Sequence, residues 1–146
     1  MPDTAPISPD RLVRRFYEEV WNNADEAVAH EILSKDFAFR GSLGPEKTGV
    51  EGFLDYAHAV HTAFRDFHCS IQDLVVEDDR AAARMLFSGM HQAPVYGVPE
   101  TDEIITWAGA AFFETDGRQI TKLWVLGDID SVKTQLGATA TASFTA

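Results

Sequence analysis

The sequence predicts an α+β domain, with helices in its first half and an antiparallel sheet in its second. Apolar residues recur at helical spacing as far as Phe64, and after Phe67 they alternate with a period of two. Separate runs of helices and strands are typical of α+β rather than α/β proteins. Because 146 residues suit one domain, we expect a single domain over residues 1–137. The small and polar residues of 138–146 predict a disordered tail.

The helices are predicted from their start signals as well as from their apolar faces. Ser8 is a favoured cap for the first helix, and Pro9 suits its first position. Thr48 and Glu51 form a capping-box pattern at the start of the third helix. We expect helices at 8–22, at about 25–33 and from 48 onward, with a short closing helix at 130–136.

The strands are predicted from alternation and from the turns between them. Asp78-Asp79 and Asp116-Gly117 each indicate a tight turn that joins two apolar runs. The segment 92–102 contains two prolines and a glycine and is expected to be a loop. The resulting strands are 37–39, 69–77, 80–90, 104–114 and 120–127, and the last four form a meander.

Composition limits the partners of the chain. The formal net charge is −11 at pH 7, and no Lys/Arg cluster is longer than Arg14-Arg15, which argues against nucleic acid and anionic membranes. No apolar run approaches the roughly 18 residues of a membrane span. Cys69 is the only cysteine, so we expect no internal disulfide and a cytoplasmic location. A small, neutral or weakly polar ligand fits this composition best.

One carboxylate is prominent at the end of the last predicted strand. Asp128, Leu126 and Trp124 are spaced by two residues, so alternation places them on one face of that strand. A carboxylate among apolar side chains is suited to moving protons, because such surroundings bring its pKa closer to neutrality. Asp128 is also a candidate cap for the closing helix, although Asp130, directly before Ser131, is better placed for that role.

Four segments carry a pattern that occurs in the same order in a known family. They are 16–25 (FYEEVWNNAD), 63–84 (AFRDFHCSIQDLVVEDDRAAAR), 87–99 (FSGMHQAPVYGVP) and 120–137 (ITKLWVLGDIDSVKTQLG). None is specific alone, but together they cover nearly the whole expected domain and end in Trp-x3-Asp followed by Gln-Leu-Gly. On these segments the chain resembles the SnoaL-like polyketide cyclases, within the NTF2-like fold.

The resemblance implies a curved antiparallel sheet wrapped around the N-terminal helices, forming a cone whose open end takes a small, mostly apolar molecule. Enzymes of this family close a ring of an aromatic polyketide by intramolecular aldol condensation, and their catalytic Asp corresponds to Asp128. The His that assists it in characterised cyclases corresponds to Phe112, which donates no hydrogen bond. The resemblance also implies a homodimer formed through the convex face of the sheet.

Several other residues are candidates for the site. His91 stands where the family often has His and is a second catalytic candidate. Arg84 either points into the cone and holds a polar group or points outward into solvent, and the sequence leaves both open. Asp55, His58 and His61 drift around their helix at i, i+3 and i+6, so we predict no metal site. The residues expected to line the cavity are Tyr17, Trp21, His61, Arg84, Trp107, Phe112, Trp124 and Leu126.

Three functions remain open from the sequence. The first is a cofactor-independent cyclase or isomerase for a small apolar carbonyl compound, with Asp128 as acid and base. The second is a non-catalytic binding or dimerisation module, since a fold alone does not settle function. The third is epoxide opening by an Asp–Arg–Asp set, for which Asp73, Arg84 and Asp128 are the available residues.

Overall fold

The computed structural model describes residues 5–144. Residues 1–4 and 145–146, which the sequence assigns to the domain and the tail, lie outside this range. Within it the helices are α1 (Pro9–Arg15), α2 (Glu26–Ile32), α3 (Gly49–Ala63) and α4 (Ile129–Leu136), and a π-helical segment, Phe16–Trp21, continues α1. The strands are β1 (Leu33–Arg40), β2 (Glu46–Thr48), β3 (Phe64–Glu77), β4 (Arg80–His91), β5 (Ile104–Thr115) and β6 (Ile120–Gly127). The α+β class is confirmed.

The first helix begins as its sequence predicts and then widens. Ser8 Oγ accepts a hydrogen bond from the Arg11 N–H at 3.2 Å, and Pro9 follows the cap. After Arg15 the backbone becomes π-helical, which is a rare geometry often found near functional sites. The segment turns its large side chains into the interior, and these are Phe16, Tyr17, Val20 and Trp21.

The strands form one curved sheet in the order β2-β1-β6-β5-β4-β3. Strands β3 to β6 form the predicted antiparallel meander. Strand β1 pairs antiparallel with β2 but parallel with β6. The sheet is therefore mixed: to the predicted antiparallel strands it adds one parallel pair, β1 with β6. The parallel pair joins an early strand to the last one, so no local turn in the sequence signals it.

Alternation along the strands separates a buried inner face from an exposed outer face. The inner face of β5 and β6 carries Ile105, Trp107, Ala111, Phe113, Leu123 and Val125, all buried. The outer face carries Phe112, Trp124 and Leu126, which are exposed. The helices cover the inner face, and the outer face has no covering element within residues 5–144.

Aromatic side chains hold the helices against the inner face. The ring centroid of Phe16 lies 5.3 Å from Phe53 of α3 and 5.9 Å from Phe113 of β5. Phe67 of β3 lies 5.8 Å from Trp107 of β5. Tilted and edge-to-face pairs at these distances are favourable beyond the area that they bury. One aromatic cluster thus joins the first helix, α3 and the sheet.

Several details of the helices and strands differ from the prediction. Strand β1 begins at Leu33 rather than at residue 37, and β2 is absent from the predicted strands. Strand β3 begins at Phe64, five residues before the predicted start at residue 69. The prediction missed this part because an irregularity in the pairing between residues 65 and 68 interrupts the alternation by which a strand is recognised in the sequence. Thr48 occupies the N-cap position of α3 but makes no side-chain capping bond, so the predicted capping box is wrong. Asp128 caps α4 instead of Asp130, since its carboxylate accepts a hydrogen bond from the Ser131 N–H at 3.1 Å.

The segment after α4 packs on the domain as far as the structure describes it. The sequence predicts disorder over 138–146, yet Ala138, Ala142 and Phe144 are partly buried against the core. Small polar residues alternate here with these apolar residues. The composition of the segment therefore does not reveal that its apolar side chains contact the core.

Gly127, at the end of β6, lets the loop after β1 pass close to the inner face of the sheet. A Cβ atom at Gly127 would lie 2.3 Å from the carbonyl oxygen of Ser42. Real side chains do not tolerate so short a contact, and only glycine permits this approach. The loop then holds the Ser42 side chain in the interior, where it is buried.

Gly127→Ala should therefore destabilise the domain by about 1–3 kcal/mol, the usual cost of overpacking a filled interior. Gly52→Ala in α3 is the matched control, because its Cβ would meet the Lys47 Cβ at an ordinary 3.4 Å. Alanine is favoured over glycine in a helix by about 1 kcal/mol, so the control should keep or gain stability. Urea unfolding measures both free energies, and an unchanged Gly127→Ala variant would contradict the close approach.

Candidate functional site

A small cavity lies between the π-helical segment, α3 and the inner face of the sheet. Its volume is about 20 Å³, which is room for about one water molecule. Its wall is mainly aromatic and includes Phe16, Tyr17, Trp21, Ser42, Tyr56 and Phe67. An apolar pocket with a few polar groups is the usual form of a small-molecule site, so we call it the central cavity and take it as the candidate site.

Three hydroxyl groups in the wall of the central cavity differ in their bonding. The Tyr17 hydroxyl is buried and has no hydrogen-bond partner among residues 5–144. Ser42 Oγ accepts a hydrogen bond from Trp107 Nε1–H at 3.3 Å, and the Tyr56 hydroxyl oxygen accepts one from the Leu43 N–H at 3.2 Å. A buried hydroxyl without a partner is costly. Tyr17 is therefore the group of this wall most ready to bond a ligand.

Burial fixes the charge state of the two tyrosines. It raises the pKa of Tyr17 and of Tyr56 well above the ordinary value, because a phenolate there would lose its hydration. Both remain neutral hydrogen-bond donors at neutral and mildly alkaline pH.

His61 of α3 packs behind the wall of the central cavity. Its ring centroid lies 5.6 Å from Trp21 and 6.0 Å from Phe67, which both belong to that wall. Its Nε2 is buried without a hydrogen-bond partner in the described part of the chain. Burial, and to a smaller extent the neighbouring His58, lowers the pKa of the His61 imidazole. His61 is therefore neutral at pH 7.

Asp128 follows the last residue of β6 and is not part of the wall of the central cavity. Its side chain is exposed and caps α4 through the Ser131 N–H. The expectation that it sits in an apolar hollow is wrong, because the inward residues of β6 are Leu123, Val125 and Gly127. Its catalytic role stays a prediction, without the environment on which that prediction was based.

The side chains grouped with this carboxylate share its outer position. Trp124, Leu126 and Phe112 are 39%, 50% and 52% exposed. Arg84 is also exposed and stands in register with Ala110 on the outer face. Phe112, Trp124 and Leu126 were expected from the sequence to line the cavity, and for Arg84 an outward position had also been left open. The structure places all four outside the cone.

His91 anchors the loop between β4 and β5. Its side chain is fully buried, and Nδ1 accepts a hydrogen bond from the Thr101 N–H at 3.2 Å. Its backbone N–H donates to the Glu103 carbonyl oxygen at 2.9 Å. Because Nδ1 accepts, we assign the proton of the neutral ring to Nε2, which has no partner within residues 5–144. His91 is not part of the wall of the central cavity, and no contact joins it to Asp128.

The other three candidates are interior residues, as the sequence predicts. Tyr17 and Trp21 belong to the wall of the central cavity. Trp107 lies one layer behind it and donates its indole N–H to Ser42. Their part in binding stays a prediction.

Sequence reasoning missed Ser42 and Tyr56, although signals for both were present. Ser42 follows a glycine in the loop GSLG, and glycines often mark a close backbone approach. Tyr56 follows Phe53 by three residues on the buried stripe of α3, the spacing that predicts a shared face.

Two alternative kinds of site find no support. Asp73 and Arg84 face each other across β3 and β4, and both are exposed, so no Asp–Arg–Asp set faces the central cavity. Over residues 5–144, no three His, Cys, Asp or Glu side chains lie close enough to hold a metal ion.

In the same range, every helix is too short or too polar to cross a membrane.

Comparison with solved structures shows the same fold in several bacterial proteins. A candidate SnoaL-like polyketide cyclase from Jannaschia sp. CCS1 superposes with a TM-score of 0.81 at 19% identity, over 95% of this chain and 99% of that one. TsrD from Streptomyces laurentii gives 0.77 at 25% identity, over 89% and 95%. A candidate polyketide cyclase from Bacillus cereus ATCC 10987 gives 0.71 at 28% identity, over 88% and 80%.

Comparison at the level of sequence gives the family. A search of curated proteins finds no significant match. The family model of the SnoaL-like polyketide cyclases, however, matches residues 11–136. This match runs from α1 to the end of α4 and so includes the helices, the whole sheet and the central cavity. The chain therefore belongs to the SnoaL-like polyketide cyclase family.

Proposed function

We propose that this protein is a cyclase or isomerase that binds a small, mostly apolar carbonyl compound in the central cavity. The observation that carries this proposal is the Tyr17 hydroxyl, which is buried in an aromatic wall and has no partner within the described residues. A ligand carbonyl oxygen would accept its hydrogen bond, and the surrounding rings would enclose apolar parts of the ligand. Membership of a family named for polyketide cyclases supports the same reaction class.

In this proposal Tyr17 stabilises the negative charge that develops on the carbonyl oxygen. Removal of a proton from the adjacent carbon converts the carbonyl compound to an enolate, and a hydrogen bond to that oxygen strengthens as the charge forms. The raised pKa of Tyr17 keeps its proton in place, so it donates a hydrogen bond throughout. A dry aromatic setting increases the strength of this interaction.

We infer that His61 is the base. Its Nε2 is available and its lowered pKa keeps it neutral. It would take the proton from carbon and return it to the alkoxide formed by ring closure, or to another carbon in an isomerisation. The ligand must widen the cavity to enter, and displacement of the Trp21 ring would bring Nε2 into contact with it. In ring closure the enolate carbon forms a carbon–carbon bond to a second carbonyl carbon of the ligand, and the electrons of that C=O π bond move to its oxygen as the alkoxide. The other steps are proton transfers, and none needs an oxidant or reductant, so the proposal includes no cofactor.

A non-catalytic binding module is the second candidate, and one observation favours it. The wall of the central cavity contains neither a carboxylate nor an imidazole, since His61 lies behind it. Such a module would use the same Tyr17 hydrogen bond to hold the ligand and would not exchange its protons. No observation favours epoxide opening.

Tyr17→Phe should weaken binding of an aromatic cyclic ketone, 1-tetralone, by about three- to tenfold, the loss of one hydrogen bond. It should also slow enzyme-dependent deuterium exchange at the carbon next to the carbonyl, which NMR follows directly. Folding should be unaffected, because the deleted hydroxyl has no partner within residues 5–144.

Asp128→Asn is the matched control for this experiment. Asparagine keeps the capping oxygen of α4, and the residue lies outside the cavity, so binding and exchange should equal those of the wild type. Loss of exchange in Asp128→Asn with normal exchange in Tyr17→Phe would contradict our mechanism and restore the Asp128 hypothesis. Binding without exchange in the wild type would favour the binding module.

Exchange should also depend on pH through His61. Because the pKa of His61 is lowered from its usual value of about 6.5, the rate should be constant near pH 7 and fall only below pH 6.5, where the imidazole gains a proton. In that acidic range the unfolded chain binds the proton more readily than the folded one, so stability should fall as well. His61→Gln should remove the pH-dependent rate, whereas His58→Gln, at an exposed position, should retain it. A rate midpoint above pH 6.5 would exclude His61 as the base.

We further propose that the outer face of the sheet binds a second copy of this chain. Leu86, Phe112, Trp124 and Leu126 form an exposed apolar patch there, here called the outer patch. Beside it Arg80 and Lys122 approach Glu114 at 3.6 and 3.8 Å. A patch flanked by charges of both signs is self-complementary, as a two-fold interface requires.

Phe112→Asp should convert the proposed dimer to a monomer, because it places a charge inside the outer patch. Ala27→Asp adds the same charge to an exposed position of α2 and should leave the dimer intact. Sedimentation velocity distinguishes the two masses. A wild-type monomer, or a dimer that survives Phe112→Asp, would contradict this interface.

A cytoplasmic location is likewise our proposal. The single thiol, Cys69, is buried, and burial raises its pKa well above the ordinary value. It is therefore a neutral thiol, and a chain with no second cysteine for an internal disulfide suits a reducing compartment such as the cytoplasm.

A further inference from the structure

The C-terminal segment 138–144, here called the tail, is fastened to the domain by a small number of contacts. The Lys133 ammonium of α4 donates a hydrogen bond to the Ala140 carbonyl oxygen at 2.8 Å. The Ala142 N–H donates to the Thr139 carbonyl oxygen at 3.1 Å, which makes a tight turn. These contacts direct the tail back over the loop that follows β1, where Phe144 borders the same hollow as Leu43.

The last described residue of the tail is Phe144, whose aromatic ring lies between two tyrosine rings. The Phe144 ring centroid lies 5.9 Å from Tyr56 and 6.0 Å from Tyr96, and both pairs meet edge to face. Tyr96 is presented by a two-residue turn in which it and Gly97 both have positive φ, at 50° and 78°. A tyrosine in that backbone region is uncommon. The loop therefore adopts a strained conformation at the residue that contacts Phe144.

Tyr56 separates the tail from the central cavity. It belongs to the wall of that cavity, and it also contacts Phe144 on the other side. Its hydroxyl is held by Leu43, whose carbonyl oxygen in turn accepts a hydrogen bond from the Tyr96 hydroxyl at 3.0 Å. The hollow beside Phe144, here called the outer hollow, has a volume of about 510 Å³ and is bordered by Leu43, Tyr96 and Lys133.

The central cavity and the outer hollow differ greatly in volume. The central cavity holds about 20 Å³ and is too small for a ring, whereas binding sites for small molecules usually measure about 300–1,000 Å³. The outer hollow has that volume, and Ala142, Ser143 and Phe144 of the tail form part of its border. Phe144 contacts Tyr56, which belongs to the wall of the central cavity.

We propose that the tail is an internal plug: Phe144 occupies a site for an aromatic ring between Tyr56 and Tyr96, and a ligand ring takes this place when the tail leaves. Departure of Phe144 removes one of the ring contacts of Tyr56 and opens the outer hollow toward the wall of the central cavity. The inference rests on the proposed function only in treating the central cavity as the binding site. Two hydrogen bonds to Lys133, two ring contacts of Phe144 and the partial burial of Ala138 and Ala142 hold this segment. A terminal segment with so few contacts opens at low cost compared with global unfolding.

The test compares the affinity of the full chain for a neutral aromatic probe, 2-naphthol, by calorimetric titration. Phe144→Ala removes the plug, and Lys133→Met removes its fastening while keeping a side chain of similar length. Both should bind 2-naphthol about three- to tenfold more tightly than the wild type, which is the advantage expected from losing one or two internal ring contacts. Thr141→Ala, at an exposed tail position, is the matched control and should bind like the wild type.

Each other result overturns the proposal. Equal affinity in Phe144→Ala would show that the tail does not compete with the ligand. Weaker binding would make Phe144 part of the wall. Tighter binding in Thr141→Ala as well would indicate general loosening of the tail.

A double variant, Phe144→Ala with Tyr17→Phe, separates this inference from the proposed function. If the gain from Phe144→Ala persists and Tyr17 has no effect on binding, the plug is supported and the central cavity is not the ligand site. If Tyr17→Phe weakens binding and Phe144→Ala changes nothing, the central cavity is the ligand site and the plug is refuted.

Discussion

The fold depends on aromatic contact between the first helix, α3 and the inner face of the sheet. Phe16 is the common member, since its ring meets both Phe53 and Phe113. Large rigid rings adapt their shape less than flexible side chains such as methionine, and a small gap persists where Tyr17 and Tyr56 approach each other from opposite elements. The packing that stabilises the domain is therefore also the packing that leaves the central cavity.

Much of the fold follows from local signals in the sequence. The order of helices and strands, the cap at Ser8 and the four-stranded meander are all predicted by spacing and turns. The inner face of β6 is not, because Leu123 and Val125 alternate with Trp124 and Leu126, and both sets are apolar. Alternation identifies two faces but does not say which one meets the helices. The parallel pairing of β1 with β6 is also hidden, since it joins segments that are far apart in the chain.

The candidate site is predicted only in part, for related reasons. Tyr17 and Trp21 lie on the apolar stripe of a helix, so their inward position follows from helical periodicity. Asp128 satisfies two descriptions at once, a strand carboxylate beside apolar residues and an N-cap, and the structure selects the second. Ser42 reaches the interior because a glycine elsewhere in the chain leaves space for its backbone. The position of Ser42 thus depends on Gly127, a residue far away in the chain, and it cannot be predicted from either segment alone.

The π-helical segment has a consequence for how relatives of this chain can diverge. It contains one more residue than an α-helix needs for the same stretch, so a single deletion there would restore α-geometry while the residues on either side keep their orientation. The wide turn that carries Tyr17 and Trp21 would narrow, whereas Asn22 would keep the paired amide bonds that it makes with the Cys69 backbone. A change of one residue in the length of this turn can therefore alter the shape of the central cavity without altering the sheet. Relatives that differ at this turn could then bind ligands of different shape.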